Sequence, residues 1–252
     1  MTTISQRAWL GFVNRLDRIN SAAARAMVQY VNTHGLDDVQ GIIDYAYGVA
    51  TKYGEASAAL AAEMYDAIAA LMGKVVPAAV PAATASYPEV AQTVVGVLEQ
   101  SKNTEMLSGA VSRLVKMAGE DTTLQNARRD RALVAWIPNG DTCAFCIALA
   151  SRGWEFASAK LLRNGHARHV HSNCDCTHAV TWDPFETKYS TYDPDRYREM
   201  YDDAEGRNSQ QKINAMRREF YAENRDEINA QKRSAYAKRI ELNSSAAEEA
   251  DV

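Results

Sequence analysis

Asn126-Ala-Arg-Arg-Asp-Arg131, then Leu133-Val-Ala-Trp-Ile137 and Pro138-Asn-Gly140, mark the point where the periodicity of this 252-residue chain changes. The first run is a dense basic turn of helix. The second is a short β-branched and aromatic run closed by turn residues, which reads as a strand and then a turn. Upstream of this junction apolar residues recur at helical spacing; downstream, short strand and helix signals alternate. The junction therefore predicts a mainly α protein: a helical N-terminal region, a small central α+β unit and a long basic C-terminal helix. The corresponding boundaries are 1–121, 122–183, 184–242 for an acidic arm plus the basic helix, and 243–252 for a disordered tail.

Working back from the junction, Trp9, Phe12, Val13, Leu16, Ile19, Ala23 and Met27 follow at three- and four-residue steps, one apolar face of a long amphipathic helix. Gly35 stops that helix, and Asp37-Asp38 opens the next, which carries Ile42, Ile43, Ala46, Val49, Tyr53, Leu60, Met64, Ile68 and Leu71. Gly73, Pro77, Pro81 and Pro88 mark a connector that cannot be helical throughout. Two shorter helices are expected, from about 89 to 100 and from about 104 to 119. Nothing in this region points to chemistry, and Tyr30, Tyr45 and Tyr47 read as core edge or interface.

Working forward, all four cysteines fall in two runs, Asp141-Thr-Cys-Ala-Phe-Cys146 and His171-Ser-Asn-Cys-Asp-Cys176. Two residues between Cys143 and Cys146 let both sulfurs face one point from a tight turn, the bite that a tetrahedral zinc needs. His171, Cys174 and Cys176 offer the remaining ligands. Cys143, Cys146 and Cys174 are the expected core of the set, with His171 and Cys176 competing for the fourth place. His169 and His178 read as solvated or as supports behind the ligands. Asp141 or Asp175 would have to act as base were such a site catalytic, but closed sets of this kind are more often structural. The bland reading is four reduced cysteines joining two loops without metal, and a disulfide framework is weaker still, since a chain this long can bury a core unaided. A helix over 142–152 and strands near 154–156 and 176–182 complete the unit. Arg163, His166, Arg168, His169 and His171 form a local basic patch.

Beyond Asp183 the chain turns polar and acidic with Tyr189, Tyr192, Tyr197 and Tyr201 interleaved, which reads as an extended arm with a poor core. Residues 207–239 reverse the sign, with nine Lys/Arg against four Glu/Asp and no Pro or Gly. They read as one long helix. Arg217, Arg218, Lys232, Arg233, Lys238 and Arg239 are its candidate phosphate contacts, against the plainer alternative of a solvated face laced with ion pairs. Tyr221 and Tyr236 could stack on single strands, although core or interface contacts suit them better.

The formal net charge of -4 argues against a chain built throughout to coat nucleic acid. The start Met1-Thr-Thr-Ile-Ser-Gln-Arg lacks an apolar run and a cleavage site, so no signal peptide is expected. The alanine-rich stretch 67–83 is interrupted by Lys74, Pro77 and Pro81, and no membrane segment is expected either. A reducing cytoplasm follows as the expected place of synthesis, which suits thiolate ligands.

Taken in succession, Asn126-Ala-Arg-Arg-Asp130, Val134-Ala-Trp-Ile-Pro138, Asp141-Thr-Cys-Ala-Phe-Cys146, Leu149-Ala-Ser-Arg-Gly153 and His171-Ser-Asn-Cys-Asp-Cys176 resemble the phage minor head protein family. These are the Mu F-like head morphogenesis proteins, especially those of phages of actinobacteria and related Gram-positive hosts. The resemblance covers about residues 122–183. It implies a structural virion protein rather than an enzyme, inside the head near the portal vertex and assembled in the host cytoplasm. Head assembly and the packaging or delivery of DNA are the implied roles. The implied partners are the portal protein, other capsid or scaffold proteins and phage DNA, with a homo-oligomer as a further expectation. The family's Cys/His motif maps onto Cys143, Cys146, His171, Cys174 and Cys176 as a zinc-binding or fold-pinning element. Residues 1–120, with faces around Trp9 and Phe12, would dock on the portal or pack together.

The competing reading is a zinc-pinned nuclease of the His/Cys type, with His169 or His171 as base and a divalent cation at Asn173 or Asp175. No second acidic or Asn/His partner falls at a convincing spacing for it. A zinc deaminase is weaker again: no His-x-Glu motif exists, and Thr142 rather than Pro precedes Cys143.

Overall fold

The structure, a computed structural model, describes residues 2–139, 143–157, 176–185, 187–189, 192–226 and 229–230. Three long helices and a shorter one form the body: α1 (Gln6–His34), α2 (Val39–Leu71), α3 (Tyr87–Gln100) and α4 (Thr104–Arg129). Their ends are set by local chemistry. Ser5 accepts from the Ala8 amide, Asp38 from the Gly41 amide and Asn103 from the Met106 amide, each satisfying an amide that the first helical turn leaves unpaired. At the other end of α1, Gly35 takes φ 76°, a left-handed value that side-chain-bearing residues avoid, and its amide closes back on the Val31 carbonyl.

The apolar faces of α1, α2 and α4 meet in two stacked clusters. One joins Ala23, Met27, Ile42, Ala46, Val90, Val94, Leu107 and Val111. The other joins Trp9, Phe12, Leu60, Tyr65 and Leu124 to residues far along the chain, among them Val134, Ala179, Val180 and Tyr189. The face around Trp9 and Phe12, expected to dock on the portal or to pack together, is buried within this chain, where the Trp9 ring meets Tyr189 edge-on at 5.1 Å.

The central unit packs on this body. β2 (Leu133–Ile137) lies between β3 (Glu155–Phe156) and β4 (Thr177–Thr181), both antiparallel to it, with Trp136 paired to His178 and Ile137 to Thr177. α5 (Ala144–Ala150) follows Cys143.

Three expectations change. The helix expected to stop near Gly119 continues to Arg129, so the boundary expected at 121/122 falls inside α4. Residues 183–205 are not an extended arm. β5 (Thr187–Tyr189) pairs in parallel with β1 (Thr2–Ile4), and Tyr189 and Tyr192 are buried with their hydroxyls donating to the Val180 and Ala150 carbonyls, each at 2.7 Å. Asp193 then caps α6 (Pro194–Asp203). Finally, the single helix expected over 207–239 is interrupted: α7 (Ser209–Glu223) is closed by Asn224. The part of that expectation beyond residue 230, and the expected tail, lie outside the described residues.

Candidate functional site

The connector 72–86 shows what the basic junction does. Asn126, on α4, accepts from the Val80 amide and donates to the Val80 carbonyl, both at 2.9 Å. One turn earlier Thr122 accepts from the Ala82 amide, and Arg129 donates to the carbonyls of Pro77 and Ala78. Proline-broken backbone cannot satisfy itself by helix formation, so α4 side chains strap it down. Asp130 pairs with Arg129 at 2.7 Å and accepts from the Tyr65 hydroxyl at 2.9 Å. The Arg129 hydrogen bond holds the Asp130 carboxyl below its ordinary range, while burial and the neighbouring carboxylate push the Tyr65 hydroxyl up. The motif Asn126-Ala-Arg-Arg-Asp130 is thus a structural clamp.

The Cys-bearing unit follows this clamp along the chain. Cys143 occupies the N-cap position of α5 and is half-buried; Cys146 and Cys176 are buried. All three belong to one cluster with Trp136, Leu149 and Phe145. β4 and α5 therefore bring together three of the five residues singled out from spacing. His171 and Cys174, like Asp141, His169, Asn173 and Asp175, lie outside the described residues. Among the described residues, no group of three or more His, Cys, Asp or Glu side chains is gathered closely enough to hold a metal. Two features still suit zinc. The cluster presents soft thiol donors from two distant segments, the set that structural zinc sites use. It also contains a buried donor with no acceptor among the described residues, the Trp136 indole N–H.

Behind the cluster lies a buried polar group that the sequence did not reveal. Glu120 of α4, 2% exposed, accepts three hydrogen bonds from the start of β4: Thr177 hydroxyl at 2.7 Å, His178 amide at 3.0 Å and His178 Nδ1 at 2.6 Å. Burial pushes the Glu120 carboxyl up, but the hydrogen bond and charge of His178, the buried Lys116 one turn away and the Thr177 hydroxyl outweigh it and hold the carboxyl below its ordinary value. His178 is therefore not a solvated residue. Its ring stands edge-on to Trp136, centroids 4.6 Å apart, on the sheet that carries Cys176. The signal was present in spacing: Lys116, Glu120, Leu124 and Ala127 recur at helical steps on a buried face. Reading the helix as ending at Gly119 hid it.

Of the candidate DNA contacts, Arg217 and Arg218 are exposed on α7, as are Phe220 and Tyr221. α7 is held to α5 by Ile213 and Met216, which pack with Ala144, Ile147 and Ala148. Lys232, Arg233, Tyr236, Lys238 and Arg239 lie outside the described residues.

The VG15 protein family matches residues 3–204, from β1 through α6. The chain belongs to that family. VG15 is a family of viral gene products, and this is a phage protein. The matched span takes in the helical body, the connector clamp and the Cys-bearing unit together. No curated protein and no solved structure matches the chain. No helix among the described residues is long and apolar enough to cross a membrane.

Proposed function

We propose that this VG15 protein is a structural minor capsid protein of a tailed phage, acting in head morphogenesis near the portal and in the packaging or delivery of DNA. It is not an enzyme in this reading. The observation that supports it most is the shared core. Trp9 and Phe12 of α1, Leu60 of α2, Leu124 of α4 and Val134 and Val180 of the sheet pack in one cluster. The helical body and the Cys/His unit are thereby one object suited to being placed as a rigid part. Its partners are the portal, other capsid or scaffold proteins and phage DNA, and it resides inside the head, assembled in the host cytoplasm.

In the same reading the Cys/His unit holds one structural zinc through Cys143, Cys146 and Cys174, with His171 or Cys176 as fourth ligand. A zinc there would join α5 to the segment entering β4 and contribute folding energy directly.

The test is made on phage particles. Mass spectrometry of purified heads should find the protein at low copy, and phage lacking its gene should give heads that fail to package or to deliver DNA. Normal, infectious particles without it would overturn the proposal. Nicking of plasmid by the purified protein with Mg²⁺ or Zn²⁺ would move the assignment to a His/Cys-type nuclease.

A further inference from the structure

The connector between α2 and α3 carries a repeat that its role as a link does not explain. Val76-Pro-Ala-Ala79 is followed at once by Val80-Pro-Ala-Ala83. The sequence repeats every four residues, but burial repeats every three. Val76, Ala79 and Ala82 turn inward, and the pairs between them, Pro77 with Ala78 and Val80 with Pro81, are exposed. A period of three belongs neither to an α-helix nor to a strand; it is that of polyproline II. The two prolines fix their own φ and push Val76 and Val80 into the extended region, the same conformation.

Polyproline II makes no internal hydrogen bonds, so here the body holds it in place. Asp66, Asn126 and Thr122 accept from the amides of Ala79, Val80 and Ala82, each at 2.9 Å, and Arg129 donates to the Pro77 and Ala78 carbonyls. What remains outside is apolar. Val75 is fully exposed and Val80 is 62% exposed, with both prolines beside them. The inward third of the segment is enough to cover the body, so an aliphatic outer surface marks a contact with something else. The carbonyls of Ala79 and Pro81 accept nothing among the described residues. One track of the ridge, Lys74, Pro77, Val80 and Ala83, opens with a cation, and Lys74 enters no ion pair among the described residues.

We propose that residues 74–83 are a docking ridge for another protein, one whose groove is lined by aromatic side chains and carries a carboxylate facing Lys74. The proline rings and Val80 seat between the aromatic rings, and indole or phenol donors reach the free carbonyls, the general way in which extended proline segments are recognised. Four side chains of the body already order the ridge, so docking costs little conformational entropy. Lys74 at one end sets which way the groove runs. The inference stands apart from the capsid assignment, since it rests on the ridge alone.

The experiment uses the full chain in cells producing the phage, with the photo-cross-linker p-benzoylphenylalanine in place of Val80. A control chain carries it in place of Val39, an exposed aliphatic residue at the opposite end of α2. Light should join position 80, and not position 39, to one peptide of another protein that holds aromatic residues together with Asp or Glu. Lys74→Glu should lower the yield of that adduct about tenfold or more by setting like charges against each other, and Lys74→Arg should keep it. Matching melting transitions of the purified variants and parent establish that the fold is intact. No adduct at position 80, or the same spread of adducts from both positions, overturns the proposal. So does an adduct to a second copy of this chain or to lipid, and so does a yield that Lys74→Glu leaves unchanged.

Discussion

Glu120 is the residue on which the joint between body and Cys unit depends. A carboxylate taken out of water is costly unless every lone pair is engaged. Here two oxygens receive the Thr177 hydroxyl, the His178 amide and the His178 ring. Glu120→Gln sets an amide donor against at least one of these donors and leaves a buried amide or imidazole without an acceptor. The expected loss is on the order of 3 kcal/mol in urea unfolding. A midpoint within experimental error of the parent's would show that the pair is dispensable. The pH dependence has a definite sign. The folded Glu120 carboxyl lies below its ordinary 4.5, so the stability it contributes is complete above that value and is lost as pH falls through the lower, folded value. The gap between parent and Glu120→Gln should therefore be constant near neutrality and narrow in acid. A gap that widened as pH fell would mean the carboxyl is raised, not lowered.

At the scale of elements, α2 and α4 approach closely because small residues meet. A Cβ on Gly119 would stand 2.6 Å from the Ser57 hydroxyl and 3.2 Å from the Ser57 carbonyl oxygen, whereas one on Gly48 meets nothing within 4 Å. Gly119→Ala should therefore cost about 1–3 kcal/mol by forcing the helices apart. Gly48→Ala, mid-helix and exposed, should gain up to about 1 kcal/mol from helix propensity alone. Thermal unfolding of both variants checks the contrast, and equal effects would mean that the interface is loose. The returning segment allows a second test. Tyr189→Phe loses only the bond to the Val180 carbonyl and should cost about 1 kcal/mol; Tyr189→Ala also empties the contact with Trp9 and should cost about 3–5 kcal/mol. An unchanged melting midpoint in both would restore the extended-arm reading.

These elements also show what the sequence made legible. The α1 face of Trp9, Phe12, Leu16, Ala23 and Met27 is readable because one-sided burial imposes a helical period on apolar residues, and the strand Leu133–Ile137 because burial on both faces leaves a short apolar run closed by turn residues. The 183–205 segment was misread because tyrosine supplies buried area and a polar tip in one side chain, and acidic neighbours masked it. The β1–β5 pairing joins residues about 185 positions apart, a contact that no local pattern encodes. At the site, the clustering of Cys143, Cys146 and Cys176 was legible from spacing. Glu120 shares a helical step with Lys116, Leu124 and Ala127, but a helix read as ending at Gly119 stops one residue short of it.

For the whole molecule, the family match ends at residue 204, in the turn between α6 and α7, while the basic segment begins just beyond it. Yet α7 is not detached: Ile213 and Met216 seat it against α5, so Arg217 and Arg218 are displayed beside the Cys-bearing unit. Residues 207–239 carry nine cations and four anions on a chain whose net charge is -4, so any attraction to phosphate is local to this segment. Neutralising about five phosphates should give duplex binding without sequence preference and a log–log salt slope of roughly -4 to -5. Replacing Arg217, Arg218, Lys232 and Arg233 together by Gln removes four of the nine cations and should flatten that slope to near -1 while leaving the melting transition of the body in place. Duplex retention measured from low to physiological salt decides it. Equal retention by parent and variant would reduce the segment to a solvated face and remove DNA binding from its expected roles.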